Sequence, residues 1–149
     1  MINPPFDLSK ISVKDHRSLP RTDSSAEVGR PYYKIKGLDI DGGLKRLANR
    51  WDFYDRLVSR FYAEHLDFFK RLHLEKEQGN AEVVHRMLHS LKGITGTIGA
   101  TELYPLSIEA EQAQKHGRPE VEQLIVETEK CLSKLLNEIA NSGCFSIVK

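Results

Sequence analysis

Residues that could do chemistry are concentrated in one run, His85-Arg86-Met87-Leu88-His89-Ser90-Leu91-Lys92-Gly93-Ile94-Thr95-Gly96-Thr97-Ile98-Gly99-Ala100. Val84, Met87, Leu88, Leu91, Thr95 and Ile98 recur at the i, i+3, i+4, i+7 spacing of a helix with one face in a core. At about 100° per residue, His89 lies roughly 170° from the middle of that stripe, so its imidazole faces outward. Gly93 and Gly96 follow on the same face, within about 40° of it. A glycine inside a helix costs roughly 1 kcal/mol against alanine, so two of them need a reason. Helical side chains lean toward the N-terminus, and a side chain at 93 would therefore cover the His89 ring. Glycine there leaves the ring open to something large. Lys92 is about 60° round the wheel and can place positive charge beside a phosphoryl group. Neutral imidazole is a competent nucleophile. These features suit carrying phosphate, with His89 as acceptor, Lys92 as phosphate support, and Gly93 and Gly96 as access positions.

Other chemistry is weighed on the same face. His85 lies one turn before His89, and an i, i+4 histidine pair is also a helical metal-ligand spacing. A bundle binding Zn²⁺ through His85 and His89 is the rival reading. Two ligands are too few, and neither carboxylate nor cysteine is expected to accompany them on that exposed face. His85 is otherwise read as bordering a docking surface, with Arg86 and Ile94 on its flanks. Glu109, Glu111, Gln112 and Lys115 read as outer-face residues of the next helix, with Gln112 the candidate to reach His89. The chain has no G-x-x-x-x-G-K-[ST] phosphate loop and no kinase ATP-site motif.

The elements that must position these residues are all helical. A short helix is expected at 41–48, capped by Asp41, with Gly42 and Gly43 weakening it. A second runs over 51–73 on the stripe Tyr54, Leu57, Val58, Phe61, His65, Phe68, Phe69 and Leu72, with His65 as a partly buried core residue. The loop 75–79 leads to the histidine helix at 81–98, opened by Asn80 and closed by Gly99. A fourth helix spans 102–116, with Thr101 as cap, Pro105 in its first turn and a narrow stripe of Leu103, Leu106, Ala110 and Ala113. Pro119 starts a last helix, 119–141, at its first position. Short connections between long helices predict an all-α, antiparallel up-down four-helix bundle with a short extra N-terminal helix.

Residues 1–36 lack periodicity and are punctuated by prolines, which suggests a flexible arm or interdomain linker. Within it Phe6, Leu8, Ile11 and Val13 could pack locally and Tyr32-Tyr33 could dock on the domain. The domain itself is expected over 37–142, with 143–149 as a tail. A net charge of +1 over 149 residues gives no field favouring nucleic acid or a membrane surface. No apolar run is long enough to span a bilayer, and the start lacks a signal-peptide pattern. Cys131 and Cys144 have no metal-type spacing, which fits a reduced, cytoplasmic protein.

His89-Ser90-Leu91-Lys92-Gly93, followed by Ile98-Gly99-Ala100 and Leu103, resembles the signature of the histidine-containing phosphotransfer (Hpt) domain. Ala110-Glu111 with Lys115 and Gly117 resembles that family's next helix. Leu88 replaces the small residue common before the histidine, which implies a packing adjustment on the apolar stripe. The resemblance covers about residues 38–140. It implies that His89 accepts phosphate from a receiver-domain aspartyl phosphate and passes it to another response regulator. Lys92 would support the phosphate and Gly93 would admit the receiver. It implies no intrinsic cofactor, with Mg²⁺ carried by the receiver. It also implies a monomer working between a hybrid sensor kinase and a downstream regulator. A module that docks receivers without transfer is the alternative.

Overall fold

A computed structural model describes residues 34–147. The expectations placed on Phe6, Leu8, Ile11, Val13, Tyr32 and Tyr33 lie outside the described residues. The chain divides between Tyr33 and Lys34. Ile35 and Leu38 are buried, and single bridges join Ile35 to Leu38 and Leu38 to Ala100. The described residues hold six helices and no strand. None of these helices is long and apolar enough to cross a membrane.

Helix α1 is Ile40–Arg46. Its cap is Asp39 rather than the expected Asp41, and the Asp39 carboxylate accepts from the Gly42 N–H at 3.1 Å. The reason lies across the fold, where the Asp39 N–H donates to the Gly99 carbonyl at 2.7 Å and fixes the cap residue in place. Gly43 has a packing role, because a Cβ there would lie 2.6 Å from the Ile98 carbonyl oxygen and 2.5 Å from the Tyr54 ring. Gly43, expected only to weaken α1, thus lets the helix lie close to its neighbours, while a Cβ at Gly42 would run into the Asp39 carboxylate that caps it.

The expected second helix is two. Helix α2 is Trp51–His65 and α3 is Phe68–Glu77, so the expected loop 75–79 is largely helical too. Asp67, at φ −115° and ψ 20°, leaves the helical region. The Arg71 guanidinium spans the break, donating to the Glu64 carbonyl and the Asp67 carboxylate, each at 3.2 Å. That satisfies a carbonyl the interruption frees. His65 packs against Phe61 and Phe68, and its Nδ1–H donates to the Phe61 carbonyl at 2.8 Å.

Helix α4 is Ala81–Ile98, closed by Gly99 in the left-handed region at φ 87°. A side chain is doubly excluded at Gly99, since its Cβ would lie 2.4 Å from the Asp39 carbonyl oxygen. Asn80 makes no side-chain cap, because its amide donates to Glu75 at 2.7 Å instead. Helix α5, Leu103–His116, starts after Glu102 rather than at a Thr101 cap, with Pro105 in its first turn. Its buried stripe is Leu103, Ser107, Ala110, Glu111 and Ala113, while Leu106 is only half-buried. Helix α6 is Val121–Ser142, which leaves Pro119 in the turn before it.

Helix α4 lies centrally, touching α1, α2, α3 and α5, while α6 packs on α5 and α2. Tyr54, Phe61, Leu72, Val84, Leu88, Leu91, Ile98, Leu103, Ile125 and Ile139 are fully buried between them. The Tyr54 hydroxyl donates to the Ile98 carbonyl at 2.7 Å, and burial pushes it well above the usual phenol range. After α6 the chain returns to the core. Phe145 is buried and stacks on Trp51 at 5.5 Å, and both the N–H and the hydroxyl of Ser146 donate to Asp55 at 2.8 Å. The segment expected as a tail is therefore anchored through Ser146.

Candidate functional site

The apolar stripe of α4 turns Val84, Leu88, Leu91, Thr95 and Ile98 into the core. The opposite face carries His89, whose side chain is 64% exposed. Ser107, Ala110 and Ala113 are small and buried, so α5 approaches α4 closely, and the same stripe brings Glu111 between the helices. The Glu111 side chain is 5% exposed. One carboxylate oxygen, Oε2, lies 2.8 Å from His89 Nδ1. The other, Oε1, forms an ion pair with Lys92 Nζ at 2.7 Å. His85 Nε2 lies 3.1 Å from Oε2, and the two imidazoles have centroids 6.3 Å apart.

Burial pushes the Glu111 carboxyl up. The Lys92 ammonium and the His89 ring outweigh it and hold the group below the usual carboxylate range. An ionised carboxylate only accepts hydrogen bonds. His89 Nδ1 is therefore the donor, and in the neutral ring the lone pair sits on Nε2. Among the described residues none hydrogen-bonds Nε2. The site thus presents an oriented, exposed imidazole whose Nε2 can act as a nucleophile, with the Lys92 ammonium paired to the same carboxylate.

Gly93 has nothing within 4 Å of where a Cβ would stand, so the space beside His89 is open. Gly96 makes a different contact. A Cβ there would lie 2.9 Å from the Tyr104 ring, so this glycine makes room for Tyr104. Arg46, Lys92, Gly93, Gly96, Thr97 and Tyr104 line an open groove of about 410 Å³ on this side of the histidine. Arg46 is held there by its Nε–H bond to the Thr97 carbonyl at 3.1 Å. Arg86 is exposed and lies 3.7 Å from Glu82, and Ile94 is half-buried.

Gln112, the expected contact from the next helix, is half-buried, and its neighbour Glu111 is the residue that reaches His89. One residue is about 100° of rotation, enough to exchange the two. The expectation that Glu111 lies on the outer face is corrected by its burial. A signal was present in the sequence. Leu103, Ser107, Ala110 and Glu111 fall at i, i+4, i+7 and i+8. Tracing only apolar residues drops Ser107 and Glu111 from that stripe and chooses Leu106 instead.

A carboxylate does accompany His85 and His89, contrary to expectation, but Lys92 occupies it. Among the described residues no three His, Cys, Asp or Glu side chains are grouped to hold a metal ion.

Comparison with known families adds an independent observation: the model of the Hpt domain matches residues 56–142. Comparisons with curated proteins and with solved structures find no match. The matched span covers more than half the chain and contains His89, Lys92, Gly93 and Glu111. The chain therefore belongs to the Hpt domain family, whose role is phosphotransfer in two-component signalling through interaction with receiver domains.

Proposed function

We propose that this domain is a phosphorelay intermediate that carries the phosphoryl group on His89 Nε2. The observation that carries this reading is the 2.8 Å contact between Glu111 Oε2 and His89 Nδ1. It holds a proton on Nδ1 and leaves the Nε2 pair for attack. In the reaction that pair attacks the phosphorus of a receiver's aspartyl phosphate. The N–P bond forms as the acyl P–O bond breaks, and the bonding pair leaves with the aspartate carboxylate. The Nδ1 proton stays on the ring, facing Glu111. The phosphorylated ring is then cationic and leaves as neutral imidazole when a second receiver's aspartate attacks, so one geometry serves both directions. Lys92 supports the phosphoryl oxygens, and Gly93 admits the receiver's loops. Mg²⁺ is supplied by the receiver.

The scaffold for this role is an antiparallel up-down four-helix bundle. In it α2 with α3, α4, α5 and α6 close a ring of contacts, and α1 is the extra N-terminal helix. The contacts of α4 with α2 and α5, and of α6 with α5 and α2, support that arrangement. The domain works as a monomer in the cytoplasm, between a hybrid sensor kinase's receiver and a downstream regulator. Incubation with a panel of phosphorylated receivers tests the reading. The expected result is acid-labile, alkali-stable phosphate on the wild-type protein and none on His89→Gln. Receiver binding without any label would assign the domain to docking alone.

A further inference from the structure

The single Lys92 ammonium group would have to serve two anions. It stands 2.7 Å from Glu111 Oε1, yet supporting a phosphoryl group on His89 Nε2 requires it to turn outward. Turning away would leave a carboxylate that is 5% exposed with one partner fewer. A charge buried that deeply is costly without compensation. A replacement donor already stands beside it. His85 Nε2 is buried, makes no hydrogen bond, and lies 3.1 Å from Glu111 Oε2. Buried ring nitrogens normally have partners, so this one calls for an explanation. The contact is within range but off the hydrogen-bond direction, and a small rotation of the ring would align it. The charged and titratable groups gathered here are His85, His89 and Lys92 from α4 and Glu111 from α5.

We propose that His85 is a positioning residue that takes over Glu111 when Lys92 moves to the phosphoryl group. Before transfer, Lys92 balances the Glu111 charge as an ion pair at Oε1, which makes no hydrogen bond, and His89 hydrogen-bonds Oε2. After transfer, His85 Nε2–H donates to Oε2, the carboxylate stays ionised, and it keeps its hold on His89 Nδ1–H. No covalent bond to His85 changes, and its proton stays on its own ring. The inference rests on His89 being the phosphoryl acceptor.

The test uses the full chain with ¹⁵N-labelled histidines, before and after phosphorylation by a phosphorylated receiver. The expected result is a hydrogen-bonded Nε2–H signal from His85 that appears or moves strongly downfield only in the phosphorylated protein. Kinetics supply a second readout. His85→Leu is expected to lower the maximal rate of phosphoryl acceptance about tenfold, the size of losing one hydrogen bond to a charged group. The KM for the receiver should stay within about twofold, since His85 acts inside the site. His85→Gln, whose amide can donate over the same reach, should recover most of the rate. Identical His85 signals in the two states would overturn the proposal, as would a His85→Leu rate equal to wild type. Should the leucine variant fail to fold, the wild-type signals decide. Failure of the acceptor reading is distinct, because the wild-type protein would then take no phosphate on His89.

Discussion

Glu111 joins a buried charge to the exposed His89 ring. Its two oxygens face three donors, so its removal disturbs orientation and charge balance together. Glu111→Gln can still accept from His89 Nδ1–H but brings no charge. We expect phosphoryl acceptance to fall about tenfold, or roughly 1.4 kcal/mol, in stopped assays with a phosphorylated receiver. The same substitution has a pH signature. The folded carboxyl titrates below its ordinary range, so the unfolded chain binds a proton more readily. Its stabilisation is present above the ordinary glutamate range and is lost as pH falls through the folded value. Melting curves of Glu111→Gln should lack that part of the acid sensitivity. Gly93→Leu tests access. Its side chain has space in the free domain but would shade the ring, so the variant should fold normally and transfer about tenfold more slowly. That His89, Lys92 and Gly93 share the outer side of α4 was legible in the sequence because one helix fixes their spacing. Glu111 was not, because its position depends on how a second helix is rotated against the first.

Helix ends were legible where a glycine takes a left-handed conformation, as at Gly99, Gly117 and Gly143. The break between α2 and α3 was not, because the apolar stripe runs through it without a change of period. What marks the break is side-chain bonding across it, with Arg71 reaching the Glu64 carbonyl and His65 wedged between Phe61 and Phe68. Burial pushes the His65 pKa down, opposed by its bond to the Phe61 carbonyl. The unfolded chain therefore binds this proton more readily than the folded one. The stabilisation from His65 is complete above its unfolded pKa of about 6.5 and is lost as pH falls below that toward the folded value. As pH falls below about 6.5 the wild-type melting temperature should drop more steeply than that of His65→Gln, followed by circular dichroism.

Across the whole compact unit, the segment after α6 closes one end of the core. Phe145 stacks on Trp51 and sits beside Tyr54, whose hydroxyl holds the C-terminal end of α4. Phe145→Ala should destabilise the domain by about 3 kcal/mol, at the low end for a buried phenylalanine, as read by urea unfolding. Transfer at temperatures where the variant is folded should be unaffected, since the cluster lies away from His89. The polar residues Asn141, Ser142 and Gly143 read as a helix stop followed by a tail, and nothing local signals that Phe145 folds back. Its partners, Trp51 and Tyr54, are some 90 residues earlier in the chain.

The most direct measurement is the site of the phosphoryl group itself. Labelled protein is phosphorylated by a receiver and examined by ³¹P and ¹⁵N NMR. Phosphorus bonded to Nε2 of His89, with a proton retained on Nδ1, is the result expected from Glu111 and its 2.8 Å contact. Phosphorus on Nδ1, or on any residue other than His89, would contradict it.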